Sequence, residues 1–301
     1  MNRAKLVKDM IRLGMRCIPN HLLAYRFFSS QSIWFVHPPT GFRCEAGEAY
    51  GIPALWLSHK SDCDARVILY LHGGGYVVGS NRTHLELACR IGQASQAQVM
   101  MLEYRLAPEN PYPAALEDAV MAYHYLLENG VKAQNIIIAG DSAGGGLTMA
   151  LLLALRDEGT ALPAGAVCLS PWLDLSCSFS SQSPRLRRDP LITPERIRFF
   201  ARHYASGHSL LTPGISPFYG ELQDLPPMLI QIGGDEILLN ECKLFSRRAQ
   251  RYGVPVQLHV WPHMFHVWHM AARILPQAQA AIADIGEFVQ QKVPVSIRKV
   301  A

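Results

Sequence analysis

Gly140-Asp141-Ser142-Ala143-Gly144 is a serine held between glycines in the pattern G-x-S-x-G. The bare pattern is weak evidence, but its position strengthens it. It directly follows the β-branched run Asn135–Ala139 and opens a helical pattern over Ala143–Arg156. A serine on a sharp strand-to-helix turn projects its oxygen above the sheet from a strained backbone. Glycines on either side leave room where side chains would meet the neighbouring strand and helix. The N–H of Ala143 then points into the site at the positive end of the helix dipole. The bland alternative is a glycine-rich turn with a capping serine, and it leaves the companion motifs unexplained.

His72-Gly73-Gly74-Gly75-Tyr76 follows the apolar run Val67–Leu71 without a gap. Consecutive glycines let the backbone approach a substrate and aim N–H groups at one point. Acyl transfer builds negative charge on the carbonyl oxygen, and losing one fixed donor to that charge costs about 3 kcal/mol. A phosphate-binding loop is disfavoured, because neither the Walker lysine nor G-x-G-x-x-G spacing is present. His72 is expected to hold the loop by hydrogen bonds rather than to act as a base.

A serine hydroxyl needs a nearby imidazole to take its proton. The run Val256–Trp261 is followed by Pro262-His263-Met264-Phe265-His266-Val267-Trp268-His269. His266 is the candidate base, from its place between that run and the final helical region, with His263 and His269 expected at the surface or in packing. A carboxylate should follow the run Met228–Ile232, where Gly233-Gly234-Asp235-Glu236 offers two neighbours pointing different ways. The residues alone leave Asp235 and Glu236 open. The chain order serine, carboxylate, histidine is that of α/β-hydrolases.

These loops need a frame. Short apolar runs at Val67–Leu71, Gln98–Leu102, Asn135–Ala139, Ala166–Leu169, Met228–Ile232 and Val256–Trp261 suit strands buried on both faces. Between or after them lie helical patterns at Thr83–Gln93, Ala114–Leu127, Ala143–Arg156, Asn240–Tyr252 and Ala278–Gln291. The alternation predicts a doubly wound α/β sheet, in which ligands sit beyond the carboxyl ends of the strands. Two stretches have no place in the sheet. One is residues 1–45, which begin with an amphipathic helix bearing Leu6, Met10, Leu13 and Cys17, a face that must lie on something. The other is residues 174–216, with a helix from Pro194 capped by Thr193. Both are expected to form a cap over the strand ends, with Trp34, Phe35 and Phe200 packing on the body or lining the pocket. Residues 46–301 form the catalytic domain, with 174–216 as the cap insertion.

The chain has 301 residues, 49% hydrophobic and 17% charged, which is enough apolar mass for one large core. The net charge of +4 is mild, and the densest basic cluster, Arg185, Arg187 and Arg188, reads as a solvated loop rather than a nucleic-acid patch. Seven widely spaced cysteines with no C-x-x-C argue for reduced packing residues in a cytoplasmic protein, against a disulfide framework or zinc site. Charges interrupt the first sixteen residues, so no secretory apolar core is expected there. No run of apolar residues is long enough to span a membrane.

Together the motifs resemble the bacterial hormone-sensitive-lipase-like esterases (family IV) of the α/β-hydrolase fold, in the G-D-S-A-G subgroup. The likeness runs from about residue 66 onward. His72-Gly-Gly-Gly is similar to the family's oxyanion motif. Tyr104-Arg-Leu-Ala-Pro-Glu with Pro113-Ala-Ala-Leu-Glu-Asp is similar to its structural signature, and Asp189-Pro190-Leu191 to a cap segment. The resemblance implies a mostly parallel eight-stranded sheet with helices on both faces and a helical cap. It implies an oxyanion hole at Gly74, Gly75 and Ala143, with Gly73 close by. Gapless alignment of the acid turn puts the family's aspartate position at Glu236, with Asp235 one residue early. His266-Val267-Trp268 departs from the H-G-F of many members.

The implied function is a carboxylesterase for short- to medium-chain acyl esters, working through an acyl-enzyme on Ser142 with Glu236 and His266. No cofactor or metal is implied. The partner is a small ester, with no nucleic acid, and a homodimer is left open. An amidase, lactonase or thioesterase would use the same triad. A non-catalytic binder like the plant gibberellin receptors lacks the histidine that this chain has at His266.

Overall fold

Five of the six apolar runs lie side by side in the middle of one sheet. The sixth, Val256–Trp261, is a correction, because it forms the sheet's edge and is partly exposed along its length rather than buried on both faces. A computed structural model describes residues 3–32, 37–60, 63–180, 183–186 and 188–294, so Trp34, Phe35 and Arg187 lie outside the described residues. The strands are β1 (Phe42–Ala49), β2 (Ile52–His59), β3 (Cys63–Leu71), β4 (Ala97–Leu102), β5 (Ile136–Asp141), β6 (Gly165–Leu169), β7 (Met228–Gly233) and β8 (Val256–Trp261). Their order is β1-β2-β4-β3-β5-β6-β7-β8. Pairing is parallel from β4 across to β8 and antiparallel for β1–β2 and β2–β4.

Side-chain alternation explains why the central runs are apolar at every position. Leu69, Leu71, Ile136 and Ile138 face one layer, while Ile68, Tyr70, Ile137 and Ala139 face the other. The first layer holds α4 (Ala114–Glu128), α5 (Ala143–Asp157) and α7 (Leu239–Arg251). The second holds α3 (Asn81–Ser95) and α8 (Pro276–Lys292). Each fully buried aliphatic side chain contributes about 1.5–3 kcal/mol by leaving water.

β1 and β2 are not among the expected strands: β1 carries no apolar run, while β2 does, over Ile52–Leu57. β1, Phe-Arg-Cys-Glu-Ala-Gly-Glu-Ala, is an edge strand exposed along most of its length. The hairpin turns at Tyr50-Gly51, both with positive φ (51° and 82°), as two-residue hairpin turns require. The sheet thus begins at Phe42, ahead of the expected boundary at residue 46.

Two further helices start the chain, α1 (Arg3–Arg16) and α2 (Leu22–Ser32), and α6 (Pro194–Ala205) lies between β6 and β7. As expected, Thr193 caps α6, its hydroxyl accepting from the Arg196 N–H. The face of α1 is a correction. Leu6, Met10, Leu13 and Cys17 were expected to be covered, yet Met10 is 65% and Leu13 67% exposed, and Cys17 is also exposed. The helix packs instead through Ala4, Val7 and Ile11, which also recur at helical spacing. Lys8, between them, reaches the Asp235 carboxylate at 2.8 Å, so a polar anchor on the body selects the inward face.

Candidate active site

The serine turn is built as its physics requires. β5 ends at Asp141 and α5 starts at Ala143, leaving Ser142 alone at the corner with φ 52° and ψ −119°. For a residue with a side chain this is strained, at a cost of about 1–3 kcal/mol. The surroundings hold it there. Its N–H donates to Leu169 O at 2.8 Å, and its carbonyl accepts from Gly146 and Trp172. The flanking glycines have no substitute: a Cβ on Gly140 would lie 2.4 Å from Gly144 O, and one on Gly144 2.0 Å from Leu71 O.

Three loops from three strand ends meet at this corner. His266 Nε2 lies 2.8 Å from Ser142 Oγ, and His266 Nδ1 lies 2.8 Å from Glu236 Oε2. His266 and Glu236 are both buried. Burial opposes the charged imidazole, but the hydrogen bond and charge of Glu236, with the charges of Asp189 and Asp141, outweigh it and raise the pKa of His266. The other Glu236 oxygen accepts from Ser170 Oγ at 2.7 Å and from the Gly233 N–H at 2.6 Å.

Of the two adjacent carboxylates, Glu236 reaches the imidazole. Asp235 turns away to Lys8, whose ammonium also donates to His263 O at 3.2 Å. His263 is exposed, with φ 60°. His269 is buried, bonded through Nε2 to Gln231, and its pKa is lowered by burial to about 3.

Gly74 and Gly75 line the same cleft as Ser142, and Ala143 follows it at the start of α5. Among the described residues no protein group accepts from the N–H groups of these three. Gly74, at φ 126°, passes so close to Val78 that a Cβ would sit 2.0 Å from its carbonyl oxygen. Gly73 is a correction to the expected oxyanion set. Its N–H is spent on Asp141 Oδ1 at 3.0 Å, so it is not open to a substrate. A Cβ there would meet the same carboxylate at 2.2 Å, which is why the position is glycine.

Asp141 ties the glycine loop to the serine turn. Its carboxylate accepts from Tyr70 OH at 2.7 Å and faces His84 Nε2 at 3.3 Å. Burial works against both charges. The interaction of Asp141 and His84 prevails, lowering the pKa of Asp141 and raising that of His84. His72 bonds Gly73 O through Nδ1 and stacks on Tyr104. Burial, with the nearby His84 charge, lowers its pKa to about 4, so it stays neutral and structural.

The cleft has a volume of about 330 Å³. Its walls are apolar, with Met15, Ile18 and Phe28 from the N-terminal segment, Leu191 and Phe200 from the segment between β6 and β7, and Met270. Arg196 also borders it, but its guanidinium is used on Tyr25, Leu191 O and Met15 O. Val267 lines the cleft in a left-handed conformation (φ 47°), one that favours glycine and is unusual for a β-branched residue. Trp268 does not line it; its side chain is buried beside His269.

Sequence reasoning missed Ser170 and His84. Ser170 directly follows β6, and that position beyond a strand end was the available signal. His84 lies inside α3, where nothing local marks it. Among the described residues no cluster of three metal-binding side chains occurs, and no helix is long and apolar enough to cross a membrane.

A family model described as alpha/beta hydrolase fold matches residues 68–270. An acetyl-hydrolase of Streptomyces hygroscopicus is 46% identical over 75% of this chain and 76% of its own length. An esterase of Acinetobacter venetianus is 36% identical over 74% of each. The crystal structure of an esterase from the bacterial hormone-sensitive lipase family superposes with a TM-score of 0.94 at 40% identity. That match covers 97% of this chain and 99% of the other.

Proposed function

Because the chain belongs to the α/β-hydrolase-fold family, and within it to the hormone-sensitive-lipase-like esterases, we propose that Ser142, His266 and Glu236 are the triad of its ester hydrolysis. The observation that carries this reading is the unbroken relay from Ser142 Oγ to His266 to Glu236, with both contacts at 2.8 Å.

Ser142 attacks the ester carbonyl while His266 Nε2 takes its proton. The negative charge on the carbonyl oxygen is met by the free N–H groups of Gly74, Gly75 and Ala143. Glu236 holds Nδ1–H and stabilises the imidazolium. The proton then passes to the leaving alcohol, whose C–O bond breaks to give the acyl-enzyme. Water, deprotonated by the same imidazole, releases the acid and restores Ser142.

The N-terminal helices and the 174–216 segment act as the cap, since both contribute walls to the cleft. The G-D-S-A-G subgroup is supported by Asp141, whose carboxylate braces the glycine loop. A short to medium acyl chain suits an apolar cleft of about 330 Å³. A cytoplasmic setting is supported by Cys17, Cys44, Cys89, Cys168 and Cys242, whose thiols are unbridged among the described residues. The test is turnover of p-nitrophenyl butyrate by Ser142→Ala. Loss of at least a thousandfold in kcat is expected, of the order seen when a triad member is removed; near wild-type turnover overturns the assignment.

A further inference from the structure

We propose that the cap does more than wall the pocket: Lys8, Arg185 and Asp189 grip the turn around Glu236 and act as positioning residues that aim it at His266. The inference rests on the triad reading above and deepens it.

The grips fall on both sides of the acid. Arg185 Nε donates to Gly234 O at 2.9 Å. Lys8 Nζ donates to Asp235 Oδ2 at 2.8 Å. The Ile237 N–H donates to Asp189 Oδ2 at 3.1 Å. Residues 234, 235 and 237 are thus all held from the cap, while Glu236 between them is left to face His266. Asp189 and Asp235 are both buried, where a charge-assisted bond is stronger than at the surface.

Two of the grips reach further. The Lys8 ammonium also donates to His263 O, in the loop that bears His266, so one cation clips the acid turn to the base loop. The other oxygen of Asp189 accepts from the N–H groups of Leu191 and Ile192, each at 3.0 Å. Leu191 and Ile192 line the cleft. A single carboxylate therefore joins a wall of the substrate site to the residue after Glu236. Asp235, the acid's neighbour, has its own task here as the anchor of α1.

A bond between cap and body could serve stability alone, so the test must separate aiming from folding. The kcat and KM of Lys8→Met, Lys8→Arg and Asp189→Asn are measured with p-nitrophenyl butyrate, in the wild-type and Glu236→Ala backgrounds, well below each variant's melting temperature. Lys8→Met is expected to lower kcat about tenfold, as small misplacements of catalytic groups do. KM should stay within about twofold, since the lost interaction acts on the chemical step. Lys8→Arg should recover most of the loss. In Glu236→Ala, where no carboxylate remains to be aimed, Lys8→Met should cost nothing further. Should Lys8→Met not fold, Asp235→Asn cuts the same bridge from its other end and is expected to behave alike. Equal losses in both backgrounds, or an unchanged kcat, would overturn the proposal. A wild-type kcat in Glu236→Ala alone would instead remove the triad reading itself.

Discussion

Ser170 Oγ donates to Glu236 Oε1 at 2.7 Å and accepts from the Val267 N–H at 3.1 Å, so one hydroxyl joins the acid turn to the base loop. Ser170 is fully buried. In Ser170→Ala a buried carboxylate oxygen loses a donor and a buried N–H loses its acceptor. The expected cost is about 1–3 kcal/mol of stability, read as a lower urea midpoint. A fall in kcat of about tenfold should accompany it, since outer partners of catalytic groups commonly carry that much. A variant with wild-type stability and kcat would show that the bridge is idle.

The acidic limb of kcat/KM reports His266, which must be neutral to accept the serine proton. Its pKa is raised above the usual histidine value, because Glu236 and more distant carboxylates outweigh burial. The limb is therefore expected above that value. Glu236→Gln removes the nearest charge, so burial gains weight and the pKa falls. The limb should move to lower pH while the maximal rate drops. A limb that moves upward, or stays in place, contradicts the assignment of Glu236 as the charge facing His266.

The buried Asp141–His84 pair has a pH window whose sign is fixed by the two shifts. Asp141 is lowered, so its contribution is present above the unfolded carboxylate pKa and fades as pH falls through the folded one. His84 is raised, so its contribution is present below the unfolded histidine pKa and fades as pH rises through the folded one. Asp141→Asn keeps an acceptor for the Gly73 N–H and removes the charge. Between these limits it should destabilise by about 2 kcal/mol, a typical value for a hydrogen bond to a charged group. The deficit against wild type should narrow toward both ends of the window in denaturant titrations. A deficit independent of pH would mean that the pair is not ionised.

Gly74→Ala tests the glycine loop. The new Cβ would meet Val78 O at 2.0 Å from a backbone at φ 126°, so the loop must move. The loss expected is about a hundredfold in kcat, as for removal of one oxyanion donor. KM for a neutral ester should change little. Retained kcat would show that the Gly74 N–H does not face the reacting oxygen.

Much of this protein was legible in one dimension, because the features concerned are local. A run such as Val67–Leu71 is apolar at every position only if both its faces are covered. The crowding of a strand-to-helix corner demands Gly140 and Gly144 beside Ser142, whatever the rest of the chain does. His266 could be picked out because it follows the last apolar run. Other features depend on residues that meet only after folding. Lys8, 227 positions away, takes Asp235, and Ser170 with Gly233 holds Glu236 against the imidazole. The same Lys8 contact turned the Leu6, Met10 and Leu13 face of α1 outward, although its spacing is as regular as that of the buried face. Asp141 withdrew Gly73 from the donors. β1 escaped notice because an exposed edge strand needs no apolar pattern. Chain-local sterics can be read from neighbours in sequence. Which of two equivalent groups finds a partner is decided only when distant segments bring that partner within reach.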